Sequence, residues 1–217
     1  MIQNMSQAVL ILIVVNVLFT VKGFGDHLFF EKFKFQVNQI LKGEKIRMIS
    51  SGFLHVDWLH LGFNMYALYL FGDIVDARLG SLGFLAIYFG SLLVGSLYSL
   101  SYHKNELYYS AVGASGAVSG IVYSCIMLYP EMKLGLILIP IPIPGHIFGV
   151  AYLLYSIYGM RNRVGNIGHS AHLGGAIGGF VFTLLLFPQV LSENLLMIIF
   201  LSLPILVLLV FGKKLNV

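Results

Sequence analysis

Residues 168–187 read GHSAHLGGAIGGFVFTLLLF, and the fold turns on this stretch. From Ala171 to Phe187 no side chain is charged, except for whatever proton His172 carries. Glycines recur four residues apart, as at Gly174 and Gly178, a spacing that lets two helix backbones approach closely in lipid. The stretch therefore reads as a membrane-spanning helix that packs tightly against another. An ionisable group at membrane depth is costly and counts as a functional candidate by default, so His172 stands out at once.

The rest of the chain agrees. Of 217 residues, 58% are hydrophobic and 10% charged, and the mean hydropathy is +0.89, which excludes an ordinary soluble domain. One membrane helix needs roughly 20 apolar residues, leaving room for about seven. Seven apolar stretches can be marked: Met5 to Val21, Trp58 to Ala77, Leu82 to Leu100, Ser115 to Tyr129, Ile147 to Met160, Ala171 to Phe187 and Leu195 to Phe211. The expected architecture is all-α: one polytopic bundle over 1–217, with a six-helix core over about 5–187 and a seventh, C-terminal helix over about 195–211. Met1 to Val21 lacks the basic start and small-residue cleavage site of a signal peptide and is taken as the first helix. Gly23 to Asp57 mixes charge with Phe24, Phe29, Phe30, Phe33 and Phe35, the composition of a segment lying in the interface as short amphipathic elements. Pro140, Pro142 and Pro144 predict an extended lead-in to the fifth helix.

The net charge of +4 is scattered over the ends of apolar segments, which fits anchoring to the lipid bilayer and argues against nucleic acid as a partner. The lone Cys125 lies within an apolar run and reads as a buried, inert thiol.

Polar residues at membrane depth fall into three clusters. His60 and Asn64 are four residues apart and share a helix face. Gly113-Ala114-Ser115-Gly116 opens the fourth helix, with Ser119 and Gly120 one turn on. The third cluster surrounds His172. If the fourth and sixth helices pack through Gly116 and Gly120 and through Gly174 and Gly178, Ser115 and His172 come together near one membrane surface. A serine hydroxyl needs an adjacent base to become a nucleophile, and imidazole is the usual one near neutral pH. Attack on a peptide carbonyl then creates an oxyanion, for which the His60 ring N–H, the Asn64 amide and the Ser115 backbone N–H are candidate donors. This chemistry needs no cofactor and no metal.

In this order and on these helices, the motifs resemble the rhomboid family of intramembrane serine proteases. Ser51-Gly52-Phe53-Leu54-His55 with Trp58-Leu59-His60 and Phe63-Asn64-Met65 is similar to the family's second-helix signature. Gly113 to Gly116 is similar to its G-x-S-G motif, and Ala171-His172 with Gly174, Gly175 and Gly178 to its histidine motif. Arg47, Gly72, Arg78 and Gly80 also fit, so the likeness covers about Glu44 to Phe187. The resemblance implies Ser115 as nucleophile, His172 as general base, His60 and Asn64 at the oxyanion, and Gly113, Gly116, Gly174 and Gly178 as supporting positions. It also implies transmembrane proteins as substrates, with a helix-destabilising stretch and a small residue at the scissile position. The expected location is the plasma membrane, multi-pass, with the active site facing the extracytoplasmic side. The positive-inside rule alone would choose the opposite arrangement, because Lys32, Lys34, Arg47, Lys104, Arg161 and Arg163 among others then face outward.

Two positions depart from the family pattern. Four residues after the nucleophile, where an aromatic often stacks on the catalytic histidine, stands Ser119, so Tyr123 or a hydrogen bond from Ser119 is expected to orient the imidazole. The first-loop Trp-Arg pair appears as Ile46-Arg47. Arg161 to Gly168 is expected to be a mobile cap over the site, Asp73, Asp76 and Arg78 an internally paired charged helix end, and His55 and His169 structural. Among rivals, a zinc protease built on His55, His60, His169 and His172 lacks the H-E-x-x-H motif, and a soluble-type hydrolase would need glycine at Ala117. A small-solute transporter would need a charged midplane site. A non-proteolytic module that binds membrane proteins is the remaining alternative.

Overall fold

A computed structural model describes residues 5–136 and 139–215. The Ser6 hydroxyl accepts the Ala8 N–H and opens α1 (Gln7–Gly25), supplying one of the partners that a helix start leaves unmet. The mixed segment that follows lies in short pieces: α2 (His27–Phe33), β1 (Phe35–Gln36), α3 (Val37–Leu41), α4 (Arg47–Ser50) and a 3-10 turn at Ser51–Phe53. Arg47, buried, holds these together. Its Nε donates to the Glu44 carboxylate at 2.6 Å, and its Nη1 donates to the Glu31 and Lys34 carbonyls at 2.7 and 3.0 Å. A guanidinium, with five donors in a fixed fork, suits such a junction.

The Asp57 carboxylate accepts the His60 N–H at 2.7 Å and starts α5 (Trp58–Tyr102). This helix is not a rod. Gly80 takes φ 72°, ψ 166°, a conformation open to glycine because it lacks a Cβ, and there the chain turns back. A β carbon at Gly72 would lie 3.3 Å from the Phe84 ring, whereas twelve residues of straight helix would separate them by about 18 Å. The arms 58–79 and 81–102 are the second and third predicted helices. The second arm returns to the short-element segment, where the Ser96 hydroxyl donates to the Met48 carbonyl at 2.7 Å.

Beyond it come β2 (Ser110–Ala111), α6 (Ser115–Leu128), the hairpin β3 (Lys133–Leu136) and β4 (Ile139–Pro144), then α7 (Gly145–Asn162), α8 (His169–Leu186), α9 (Val190–Glu193) and α10 (Leu195–Leu215). The proline run is the extended strand β4, as expected. Because α7 continues through Asn162, the segment expected to begin at Arg161 is a loop only from Arg163, which sits at φ 50° as the helix's C-cap. By length and composition, Gln7–Gly25, Trp58–Tyr102 and His169–Leu186 can cross a membrane, and the turn at Gly80 gives the second of these two passes. The chain is an all-α polytopic membrane protein.

Helix α6 sits centrally and joins two apolar cores. One contains Val9, Leu68, Phe84, Tyr88 and Ile121, and the other Tyr123, Leu153, Leu173, Phe180 and Leu201. Glycine allows α6, α8 and the 81–102 arm to meet backbone to backbone. A β carbon at Gly175 or Gly179 would run into the backbone carbonyl of Gly116 or Gly120, and one at Gly116 would lie 3.2 Å from the Ala171 carbonyl oxygen. The expected pairing of α6 with Gly174 and Gly178 is thereby corrected. Those two face the 81–102 arm, where their β carbons would lie 2.9 Å from Gly95 Cα and Ser91 Cα respectively. Successive helix residues point about 100° apart, so adjacent glycine stripes serve different neighbours.

The charged end of the 58–79 arm is not internally paired. Arg78 reaches Glu193 at 3.0 Å and lies over the Phe187 ring at 4.7 Å, while Asp73 accepts the Ser6 N–H at 2.9 Å. The Asp76 Oδ1 has no hydrogen-bond partner among the described residues.

Candidate active site

Strand β2 pairs with β1, placing Phe35 opposite Ala111, and the Gly113 N–H donates to the Ser51 carbonyl at 3.0 Å. The approach to Ser115 is therefore tied to the interfacial segment. Gly113 itself stands at φ 130°. A β carbon there would lie 2.8 Å from His60 Nε2 and 3.6 Å from Ser115 Oγ, so these two functional atoms converge on one spot that only a missing side chain leaves open. Ser115 is the first residue of α6, where backbone N–H groups have no intrahelical partner and point at whatever enters.

His55 supports this turn from below. The Ala114 N–H donates to His55 Nε2 at 3.4 Å, which leaves the ring proton on Nδ1 to reach the Thr20 hydroxyl at 2.9 Å, and Thr20 in turn donates to the Phe53 carbonyl at 3.1 Å. Complete burial drives the His55 pKa down to about 3, with the nearby His60 as a second cause, so the ring is neutral. Its role is structural, linking α1 to the serine turn.

One cavity of about 960 Å³ is lined by His60, Asn64, Gly113, Ser115, Gly116 and His172, and also by Asn166, Ile167 and Gly168 of the loop before α8. The structure thus gathers both predicted reacting groups and both predicted side-chain oxyanion donors. No hydrogen bond joins Ser115 Oγ to the His172 ring. The Asn64 amide gives one N–H to the His60 carbonyl at 3.0 Å, leaving its second available. The buried His60 Nδ1 has no hydrogen-bond partner among the described residues. His55 and His60 lie 4.9 Å apart between ring centroids, and His169 and His172 lie 6.3 Å apart. Among the described residues no group of three or more His, Cys, Asp or Glu is placed to hold a metal ion.

The imidazole's aromatic neighbour is neither Tyr123 nor a group on α6. The Tyr123 hydroxyl instead bonds the Gly149 carbonyl. Tyr152 of α7 stacks on His172, with centroids 6.0 Å apart and planes 18° from parallel, and its hydroxyl meets Ser119 Oγ at 2.5 Å. One turn along, Tyr155 packs edge-on against His169 at 5.2 Å. The equal spacing of Tyr152 and Tyr155 with His169 and His172, three residues in each helix, was the available signal in the sequence. His169 Nε2 bonds the Val164 carbonyl at 3.0 Å, which ties the 163–168 loop to the start of α8. Arg163 reaches Glu106 at 3.3 Å, and beside it His103 stacks on Tyr109 at 3.5 Å, a cluster that the sequence did not single out.

Comparison with known proteins places the chain in a family. The family model described as the Rhomboid domain matches residues 42–189. The chain is 35% identical over 141 residues to "Rhomboid protein 1, mitochondrial" of Saccharomyces cerevisiae, covering 64% of this chain and 41% of that protein. It is 32% identical over 148 residues to YdcA of Bacillus subtilis, covering 67% of this chain and 69% of that one. It is 34% identical over 149 residues to "Rhomboid protease GluP" of the same bacterium, covering 65% of this chain and 26% of GluP. The chain thus spans less than half of the yeast protein and about a quarter of GluP. With a mitochondrial relative among them, these names lend no support to the plasma-membrane expectation. The matched domain contains the three polar clusters and the helices that carry them, and the chain is an integral membrane protein belonging to the rhomboid family.

Proposed function

We propose that the protein is an intramembrane serine endopeptidase that cuts peptide bonds in or beside transmembrane segments of other membrane proteins, with Ser115 as nucleophile and His172 as general base. One juxtaposition carries the proposal. Ser115 at the first turn of α6 and His172 at the first turn of α8 line a single cavity, on helices whose backbones touch through Gly116 and Gly175.

In the first step His172 takes the Ser115 hydroxyl proton as Oγ bonds to the scissile carbonyl carbon. The carbonyl oxygen becomes an oxyanion facing the Ser115 backbone N–H, the His60 ring and the free Asn64 N–H. Histidinium then protonates the amine as the C–N bond breaks, leaving an acyl group on Ser115. Water, its proton taken by His172, attacks that acyl group, and release of the carboxylate returns the serine its proton. A hydrogen bond between Ser115 and His172 is required at the moment of attack, and active sites often tighten such contacts only when substrate is bound. Water reaches the site from the face that carries the 26–57 segment, which we place on the extracytoplasmic side.

The test is cleavage of a single-span membrane substrate by purified protein in detergent, comparing wild type with Ser115→Ala and His172→Ala, each with and without a chelator. Chelator-insensitive cleavage that both substitutions abolish is the expected result. Binding of several substrates without cleavage by wild type would instead indicate a membrane-protein binding module.

A further inference from the structure

Among the described residues no side chain hydrogen-bonds the His172 ring, so its orientation depends on what packs against it. His169 presents only an edge, at 6.3 Å and 73°. Tyr152 presents its face, and Tyr152 is itself held. Phe148, one helical turn earlier, stacks on it at 6.0 Å and 14°, forming a row of three near-parallel rings that runs from α7 into α8. At its other end the tyrosine is pinned by its hydroxyl. Ser119 Oγ donates its single proton to the Ser115 carbonyl at 2.7 Å and therefore accepts from the Tyr152 O–H at 2.5 Å.

We propose that Tyr152 is the positioning residue for His172, with Ser119 as its anchor. The chain Ser115 carbonyl, Ser119 hydroxyl, Tyr152 hydroxyl and Tyr152 ring connects the backbone of the nucleophile to the face of the base through two hydrogen bonds and one stack. It fixes how the His172 ring is turned relative to Ser115 although the two stand on different helices. Because the ring comes from α7, displacing α7 turns the imidazole, so the position of that helix and the competence of the dyad are coupled. Serine at 119 and tyrosine at 152 form a matched pair, since a large side chain at 119 would need the space that the Tyr152 ring occupies.

This inference rests on the protease reading for its kinetic test but not for its spectroscopic one. In steady-state cleavage of a single-span substrate, Tyr152→Leu is expected to lower kcat by about 10- to 100-fold, the scale of a misplaced catalytic group, with KM changed by less than about twofold. Tyr152→Phe keeps the ring and should stay within about threefold of wild type. Ser119→Tyr alone should be strongly impaired, and Ser119→Tyr combined with Tyr152→Ala should recover activity above Tyr152→Ala alone. In protein carrying 13C-labelled histidine, relaxation of the His172 ring C–H should report an ordered ring in wild type and Tyr152→Phe and a reorienting one in Tyr152→Leu. Wild-type kcat in Tyr152→Leu, or a His172 ring as ordered in that variant as in wild type, overturns the proposal. A wild-type protein that cuts nothing counts against the protease reading, and the ring's order then decides the positioning role by itself.

Discussion

The two flanks of α8 are built differently. Toward α6 and the 81–102 arm, α8 presents glycine: backbone touches backbone at Gly116 with Gly175, Gly120 with Gly179 and Gly95 with Gly174, leaving no space for even one added carbon. Toward α7 it presents His169 and His172 to tyrosine rings, contacts made by side chains rather than by backbone. The first flank sets where Ser115 and His172 stand relative to each other. The second sets how the His172 ring is turned. A membrane protein whose helices gain little from hydrophobic burial among lipid tails must draw such rigidity from close packing, and glycine concentrates it on one seam.

Placing bulk in that seam is the harshest way to break the comparison. Gly175→Val drives a branched side chain into the Gly116 carbonyl, and the cost should exceed the ~3 kcal/mol typical of an overpacked core, because backbone rather than a rotamer must yield. Loss of folded protein by size-exclusion chromatography is the expected result; a well-folded, active variant would mean that α6 and α8 do not meet there. A smaller effect is expected at Gly113→Ala, which meets both a φ of 130° and the His60 ring. The backbone strain costs about 1–3 kcal/mol, and displacement of His60, the proposed oxyanion donor, should reduce kcat by about 100-fold. The measurements are thermal unfolding and turnover.

Acid sharpens the comparison, because the serine turn rests on a buried neutral imidazole. His55 has its pKa lowered from 6.5 to about 3 by burial, so between those values the unfolded chain binds the proton that the folded chain refuses. Stability attributable to this group is intact above pH 6.5 and falls as pH drops through that window, by at most about 1.4 kcal/mol per pH unit. Denaturant titrations of His55→Gln should show a flatter acid limb than wild type. The mildest change is Arg163→Ala. Its ion pair with Glu106 is 83% exposed on the arginine side, and such pairs contribute about 0–1 kcal/mol, less in salt. Cleavage should change by less than threefold.

The sequence showed one flank of α8 far better than the other. Ser115, His172, His60 and Asn64 are polar residues stranded in apolar helices, where each demands an explanation, and the glycines at spacings of four announce close packing. Which glycine stripe meets which neighbour depends on how the helices cross, so α6 was expected at Gly174 and Gly178 and stands at Gly175 and Gly179. Tyr152 escaped notice for a related reason. A tyrosine among the tyrosines of an apolar helix carries no polar signal, and its value arises only from the register between α7 and α8. The Arg78 pairing with Glu193 joins residues 115 positions apart, where local charge patterning has no reach. The break between the apolar runs that end at Ala77 and begin at Leu82 is the converse case: the reversal at Gly80 falls within it, because backbone geometry there is a local property.

The central claim is that Ser115 is a nucleophile made reactive by His172. Treatment of the purified protein with a fluorophosphonate, followed by mass spectrometry of the modified peptide, tests this without any knowledge of the natural substrate. Modification of Ser115 in wild type, absent in Ser115→Ala and reduced to background in His172→Ala, is the predicted result. An unmodified wild-type serine, or undiminished modification of Ser115 in His172→Ala, would contradict it.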